Sequence, residues 1–228
     1  MRQLFELCGE NRDVRFSPYC WRARLALKHK GLEFDSVPIT FLEKQPLENA
    51  SSKTVPVLND DGTWVKESFD IACYLDDTYA DKPLFGSADA RAQGVVLNDW
   101  LNRTLLLGLF PMIVADIHRH LDAKNAAYFR DTREKFLGCT LEDAQGTRAE
   151  RLAPFRKSLS PLRAGLRAND YLSGDAPAWL DYAAFGTFMW VHLASDFEPL
   201  EADDPLYDWR ERMFDLFDGY GRGMPRAV

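Results

Sequence analysis

The sequence predicts a small α/β domain on a mixed four-stranded sheet, followed by a larger all-helical bundle. Three observations predict it. Through residues 1–80, short apolar runs alternate with segments of helical period. The stretch Asp81–Ser87 breaks both periods with Pro83 and Gly86 and reads as a linker (81–87). Over residues 88–228, apolar residues recur at helical spacing and no run reads convincingly as a strand.

The elements of the first part follow in order. Gln3 to Leu7 is a short apolar strand, and the polar loop Gly9–Phe16 is long for a strand-to-helix connection. A helix then opens on Ser17 as N-cap with Pro18 at its first position. Trp21 and Leu25 mark its apolar face, Lys28, His29 and Lys30 suit its negative end, and Gly31 stops it. Phe34 to Ile39 is a second strand, and Thr40–Lys53 is irregular with room for a short helix. Val55–Leu58 and Thr63–Lys66 form a hairpin across Asn59-Asp60-Asp61-Gly62. Ser68 can cap a further helix with Ile71, Tyr74, Leu75 and Thr78 on one face. The order β-α-β-(α)-β-β-α implies a mixed sheet with a hairpin edge. Beyond the linker, helical spacing covers residues near 88–120, 126–139, 148–168, 179–195 and 205–217. The most apolar run, Leu105–Ala115, is too short to span a bilayer; Gly108 and Pro111 make it a kinked core helix.

Composition narrows the function classes. Hydrophobic residues make up 46% of the 228, enough for a proper core. A formal net charge of -7 argues against nucleic-acid binding, which rests on neutralising phosphates, and against docking on an anionic membrane. The N-terminus shows no signal-peptide pattern, and Cys8, Cys20, Cys73 and Cys139 are scattered without a C-x-x-C pair, so a cytoplasmic location is expected. His118 and His120, two apart, face different ways on a helix, so no metal site is expected.

Three short motifs carry chemistry. Ser17-Pro18-Tyr19-Cys20 places a hydroxyl at a helix N-terminus, where unpaired amides and the dipole stabilise an anion. A serine there cannot form a disulfide, but it can donate a hydrogen bond to a thiolate brought in by a ligand; on local sequence alone plain capping is the favoured role, since Ser-Pro helix starts are common. Val55-Pro56 opens the third strand; a cis bond would leave the Val55 main chain free to pair with a peptide-like ligand, although taken alone the dipeptide reads as a trans, strand-starting proline. Glu67-Ser68 stands between the fourth strand and the next helix, where a carboxylate and a helix N-terminus suit the zwitterionic end of an amino-acid-like ligand.

Their order and spacing resemble the glutathione-transferase superfamily, in which a thioredoxin-like domain binds glutathione and a helical domain follows. Within it, the chain is similar to the bacterial β-etherases of lignin-fragment breakdown, a subgroup related to fungal glutathione transferases. The residues carrying this finer likeness are Ser17-Pro18-Tyr19-x-Trp21-Arg22 with Ala26-Leu27-Lys28-His29-Lys30-Gly31, Tyr74-Leu75-Asp76, Pro154-Phe155-Arg156, Asp203-Asp204-Pro205-Leu206-x-Asp208-Trp209 and Phe214-Asp215-Leu216-x-Asp218-Gly219-x-Gly221-Arg222. The resemblance implies that Ser17 stabilises the glutathione thiolate and that Val55, beside a cis Pro56, pairs with the cysteinyl backbone. It implies that Glu67 and Ser68 bind the γ-glutamyl end and that Lys44 or Lys53 meets the glycine carboxylate. It also implies a homodimer.

A hydrophobic aromatic electrophile would lie against the helical domain, with Tyr19, Trp100, Phe110, Met112, Phe188, Trp190 and Tyr220 as candidates to line its pocket; core packing is the competing role for each. Two other functions stay open: a glutathione-dependent thiol oxidoreductase using Cys20, and a non-catalytic ligand-binding or scaffold protein. Two departures from the family pattern stand out. Ala178-Trp179-Leu180-Asp181 keeps the aspartate of a capping box and lacks the capping side chain, and the chain stops at Val228 where the etherases carry a long extension.

Overall fold

The computed structural model describes all 228 residues. The N-terminal part runs β1 (Arg2–Leu7), α1 (Pro18–Lys30), β2 (Asp35–Ile39), a 3-10 turn (Gln45–Ala50), β3 (Val57–Asp60), β4 (Thr63–Lys66) and α2 (Ser68–Thr78). The sheet order is β2-β1-β3-β4, with β1 and β2 parallel and the other pairs antiparallel. This is the expected mixed sheet, thioredoxin-like with helices, and the all-helical part follows it. The ladder of β3 begins two residues later than expected because Pro56 has no N–H to give it. No helix or strand falls between Thr78 and Ala88; the connection is held by Asp76, which accepts the amides of Leu84 (2.8 Å) and Phe85 (3.1 Å).

The helical part comprises α3 (Ala88–Leu101), a π turn (Asn102–Leu106), α4 (Leu107–His118), α5 (Ala123–Leu137), α6 (Leu141–Gly146), α7 (Arg148–Ser158), α8 (Ser160–Leu166), α9 (Trp179–Ala194) and α10 (Pro205–Gly219). The sequence did not suggest α6, which is six residues long and rests on its Thr140 cap rather than on a periodic face. The expected helix at 148–168 divides at Leu159, and Pro161 starts α8. From Ala88 to His118 the chain is helical throughout, long and apolar enough to cross a membrane by length and composition, yet 61% of its apolar window is buried within the protein, as in a core helix. The doubtful start of α9 is secured by Asp181. Its carboxylate accepts the amides of Leu172 (2.8 Å), Ser173 (3.0 Å) and Ala178 (3.2 Å) and the Trp209 indole N–H (2.9 Å).

Helix α1 is the axis of the molecule. On one side a buried ion pair between Arg24 and Glu6 ties it to β1, with the Ser36 hydroxyl donating to Glu6 at 2.6 Å. Such a pair contributes little net stability because both charges lose water, but breaking it would strand the survivor. At the C-terminal end Lys30 reaches Asp76 of α2 at 2.6 Å. On the other side α1 packs against α9, where Gly186 lets the two backbones approach: a Cβ there would lie 2.6 Å from the Pro18 carbonyl oxygen.

Candidate active site

The loop before α1 decides where its N-terminus points. The Gly9 backbone runs so close to the His120 carbonyl that a Cβ would sit 2.3 Å from its oxygen, and the Glu10 amide donates to that same carbonyl at 2.9 Å. The Trp21 indole donates back to the Arg15 carbonyl at 2.6 Å, folding the loop over the first turn. Ser17 then takes extended dihedrals, as an N-cap must, and its oxygen accepts the Cys20 amide at 3.4 Å. The Tyr19 amide has no acceptor within the protein.

Ser17 sits at a cleft of about 730 Å³ between the sheet part and the helical part. Tyr19, Lys44, Lys53, Val55 and Glu67 line the same cleft. The Val55–Pro56 bond is cis, and neither the N–H nor the C=O of Val55 has a partner in the protein. Both are therefore available to an extended ligand. The N-cap position of α2 belongs to Glu67 rather than to Ser68, which is the buried first residue of the helix. The Glu67 side chain caps nothing, so the first amides of α2 remain unpaired. Glu67 holds a positive φ of 65°, which no glycine relieves, and its carboxylate reaches the Thr54 hydroxyl at 3.5 Å. Lys44 donates to the Lys53 carbonyl at 2.6 Å, which brings both lysine candidates to one corner. Pro56 is buried directly behind Val55.

The opposite wall is aromatic. Phe110 and Trp190 reach the cleft, stacked with centroids 6.0 Å apart. Four other candidates do not. Met112 is fully buried: two residues on from Phe110 it lies about 200° around α4, facing the core. Trp100 precedes the π turn, about three turns from Phe110, and packs half-buried on the core. Tyr220 lies against α1, its hydroxyl taken by Arg24 at 2.6 Å and its ring 6.1 Å from Trp21. Phe188 is likewise core, edge-on to Trp209.

Their places are taken by residues the sequence reading passed over. Phe41 and the α5 residues Tyr128, Phe129, Thr132, Arg133 and Phe136 line the cleft. A signal existed: Tyr128, Thr132 and Phe136 recur every four residues on an otherwise strongly charged helix, and Phe136 remains 64% exposed, so core packing does not account for it.

Cys20, one turn into α1, is wholly buried, and burial pushes its thiol up to about 12. The helix N-terminus that would lower it is outweighed by desolvation and the nearby Glu6 carboxylate.

Comparison with known proteins identifies both parts of the chain. A glutathione S-transferase N-terminal domain model matches residues 16–78, and a glutathione S-transferase C-terminal domain model matches residues 92–209. Glutathione S-transferase U22 of Arabidopsis thaliana is 25% identical over 186 residues, covering 78% of this chain and 71% of that protein. Among solved structures, a Ceriporiopsis subvermispora glutathione S-transferase in complex with glutathione matches with a TM-score of 0.77 at 23% identity, covering 97% of this chain and 93% of that one. Glutathione transferase GSTFuA3 of Phanerochaete chrysosporium matches with a TM-score of 0.77 at 22% identity, over 96% of this chain and 92% of that one. The structural likenesses speak to the fold, and the helical-domain model alone spans more than half the chain: this protein belongs to the glutathione S-transferase family.

Proposed function

We propose that this protein is a glutathione transferase that delivers a glutathione thiolate to a hydrophobic aromatic electrophile. One observation carries the reading: the Ser17 hydroxyl, the unpaired Val55 main chain and Glu67 share a cleft whose far wall is aromatic. Glu67 would receive the ammonium of the γ-glutamyl end. Ser68 and the unpaired first amides of α2 would receive its carboxylate. Val55 would pair with the cysteinyl backbone beside the cis Pro56, and Lys44 or Lys53 would meet the glycine carboxylate.

This places the thiol at the N-terminus of α1. A free thiol has a pKa of about 8.5, so little is ionised at neutral pH. The Ser17 O–H and the positive end of α1 favour the thiolate and raise that fraction. Attack forms a carbon–sulfur bond while the bond to the leaving group breaks. With a β-aryl ether, the departing phenolate takes the bonding electron pair, then a proton from solvent, and a thioether remains. Phe110 and Trp190 would hold the electrophile by stacking and exclude water. Cleavage of lignin-type aryl ethers is the finer part of the proposal and rests on the sequence resemblance. So does the homodimer, which light scattering reads; the cytoplasmic location rests instead on the scattered, unpaired cysteines.

The oxidoreductase alternative needs a reachable Cys20 thiolate, and burial with a raised pKa weighs against it. Calorimetric titration with glutathione tests the main reading. Wild type should bind, and Glu67→Ala should weaken binding by about 1.5 kcal/mol or more, as for a lost charged hydrogen bond. No binding by folded wild type would overturn the proposal. Binding without conjugation of any aryl ether or activated aryl halide would leave a ligand-binding protein.

A further inference from the structure

Arg133 is the one cation on the helical wall of the cleft. Its guanidinium lies 5.0 Å from the Phe129 ring centre and 5.5 Å from that of Phe41. Its hydrogen bond within the protein is from Nη1 to the Thr132 hydroxyl, at 3.0 Å. The other arginines of this part that reach inward all meet carboxylates: Arg148 meets Asp116, Arg163 meets Asp204, and Arg210 meets Glu198. Arg133 meets none, and its partial burial, uncompensated by any acid, pulls its pKa down.

The charge balance of the cleft sharpens the point. Its charged side chains are Lys44, Lys53, Arg133 and Glu67. A tripeptide with one ammonium and two carboxylates engages Glu67, the α2 N-terminus and the lysine corner. Arg133, across the cleft among aromatic rings, is left without a counter-charge. A flat guanidinium against aromatic faces, with its remaining N–H groups free, is suited to a planar, bidentate anion attached to an aromatic ring.

We infer that Arg133 is a specificity-determining residue that selects electrophiles bearing an aromatic carboxylate. Calling that ligand a substrate rests on the transferase reading; the anion selectivity itself does not. Aromatic stacking on Phe41 and Phe129 positions the ring, and the free N–H groups of Arg133 hold the carboxylate.

Calorimetry with 2-naphthoate and its methyl ester tests this on wild type, Arg133→Gln and Arg133→Lys. Wild type should prefer the carboxylate by about tenfold or more, the size of one charge-assisted hydrogen bond. In Arg133→Gln the two affinities should converge. Arg133→Lys should retain part of the preference, since it keeps the charge and loses the planar fork. Equal affinities in wild type, a preference that survives Arg133→Gln, or an Arg133→Lys protein indistinguishable from wild type would overturn the assignment. Glutathione is titrated into the same wild-type sample. A carboxylate preference without glutathione binding would sink the transferase reading and leave the role of Arg133 standing.

Discussion

The Ser17 oxygen accepts the Cys20 amide at 3.4 Å, which leaves the hydroxyl's single hydrogen free to point into the cleft. Capping and the proposed thiolate stabilisation are therefore compatible in one side chain: the lone pair serves the helix, and the proton would serve the ligand. Ser17→Ala removes both. The lost cap should cost about 1 kcal/mol of stability, read as a lower melting temperature. The pKa of bound glutathione, followed by the ultraviolet absorbance of the thiolate, should rise, and conjugation should slow by about 10- to 100-fold, as for a lost charged hydrogen bond. A variant with the stability loss alone would reduce Ser17 to a cap.

The cysteines should react in order of exposure and not of position in the motif. Cys139 is exposed and Cys20 is buried with its thiol pushed up to about 12. Brief treatment of the native protein with iodoacetamide at pH 7.5, followed by peptide mapping, should label Cys139 and spare Cys20. Oxidised glutathione should likewise leave Cys20 free. Labelling of both at equal rates would revive the oxidoreductase reading.

Gly186→Ala should damage the site from a distance. The added Cβ would lie 2.6 Å from the Pro18 carbonyl oxygen and 3.0 Å from the Arg22 Cγ. Backbone cannot yield there without moving the first turn of α1, which carries Ser17. Overpacking of this kind costs about 1–3 kcal/mol. We expect a lower melting temperature together with weakened glutathione binding; a stable protein with wild-type affinity would show that α1 and α9 can separate without moving the site.

Acid should destabilise the fold through its histidines. His192 is pushed down from 6.5 to about 4 by burial and by the cations Arg226 and Arg210, and burial also lowers His29, His118 and His120. The unfolded chain thus binds more protons than the native one below pH 6.5, so stability is full above that value and falls as pH drops toward 4. The carboxylates held low by partners, such as Asp116 and Asp204, titrate in the unfolded chain from 3.8 and add their loss at lower pH. Melting temperature should decline from pH 6.5 to pH 5, and His192→Gln should flatten the slope. An unchanged melting temperature across that window would mean that the histidines reach solvent in the native state.

Sequence alone determined what depends on local chemistry. Alternating periods, Ser17-Pro18 at one helix start and Gly31 at its stop marked the α/β half and its sheet, and the order of Ser17, Val55-Pro56 and Glu67 marked the residues that the fold gathers at one cleft. Tertiary structure decided the other wall. Whether an aromatic side chain faces a cleft or a core depends on helix phase and on which helix packs beside it, and a π turn between Trp100 and Phe110 shifts that phase without a mark in the composition. So Met112, Trp100 and Tyr220 went to packing, while Phe41, Phe129 and Arg133, from distant segments, met across the cleft. The charges buried around α1 were equally illegible, because Glu6, Arg24, Lys30 and Asp76 read as surface residues until the fold supplies each with its partner.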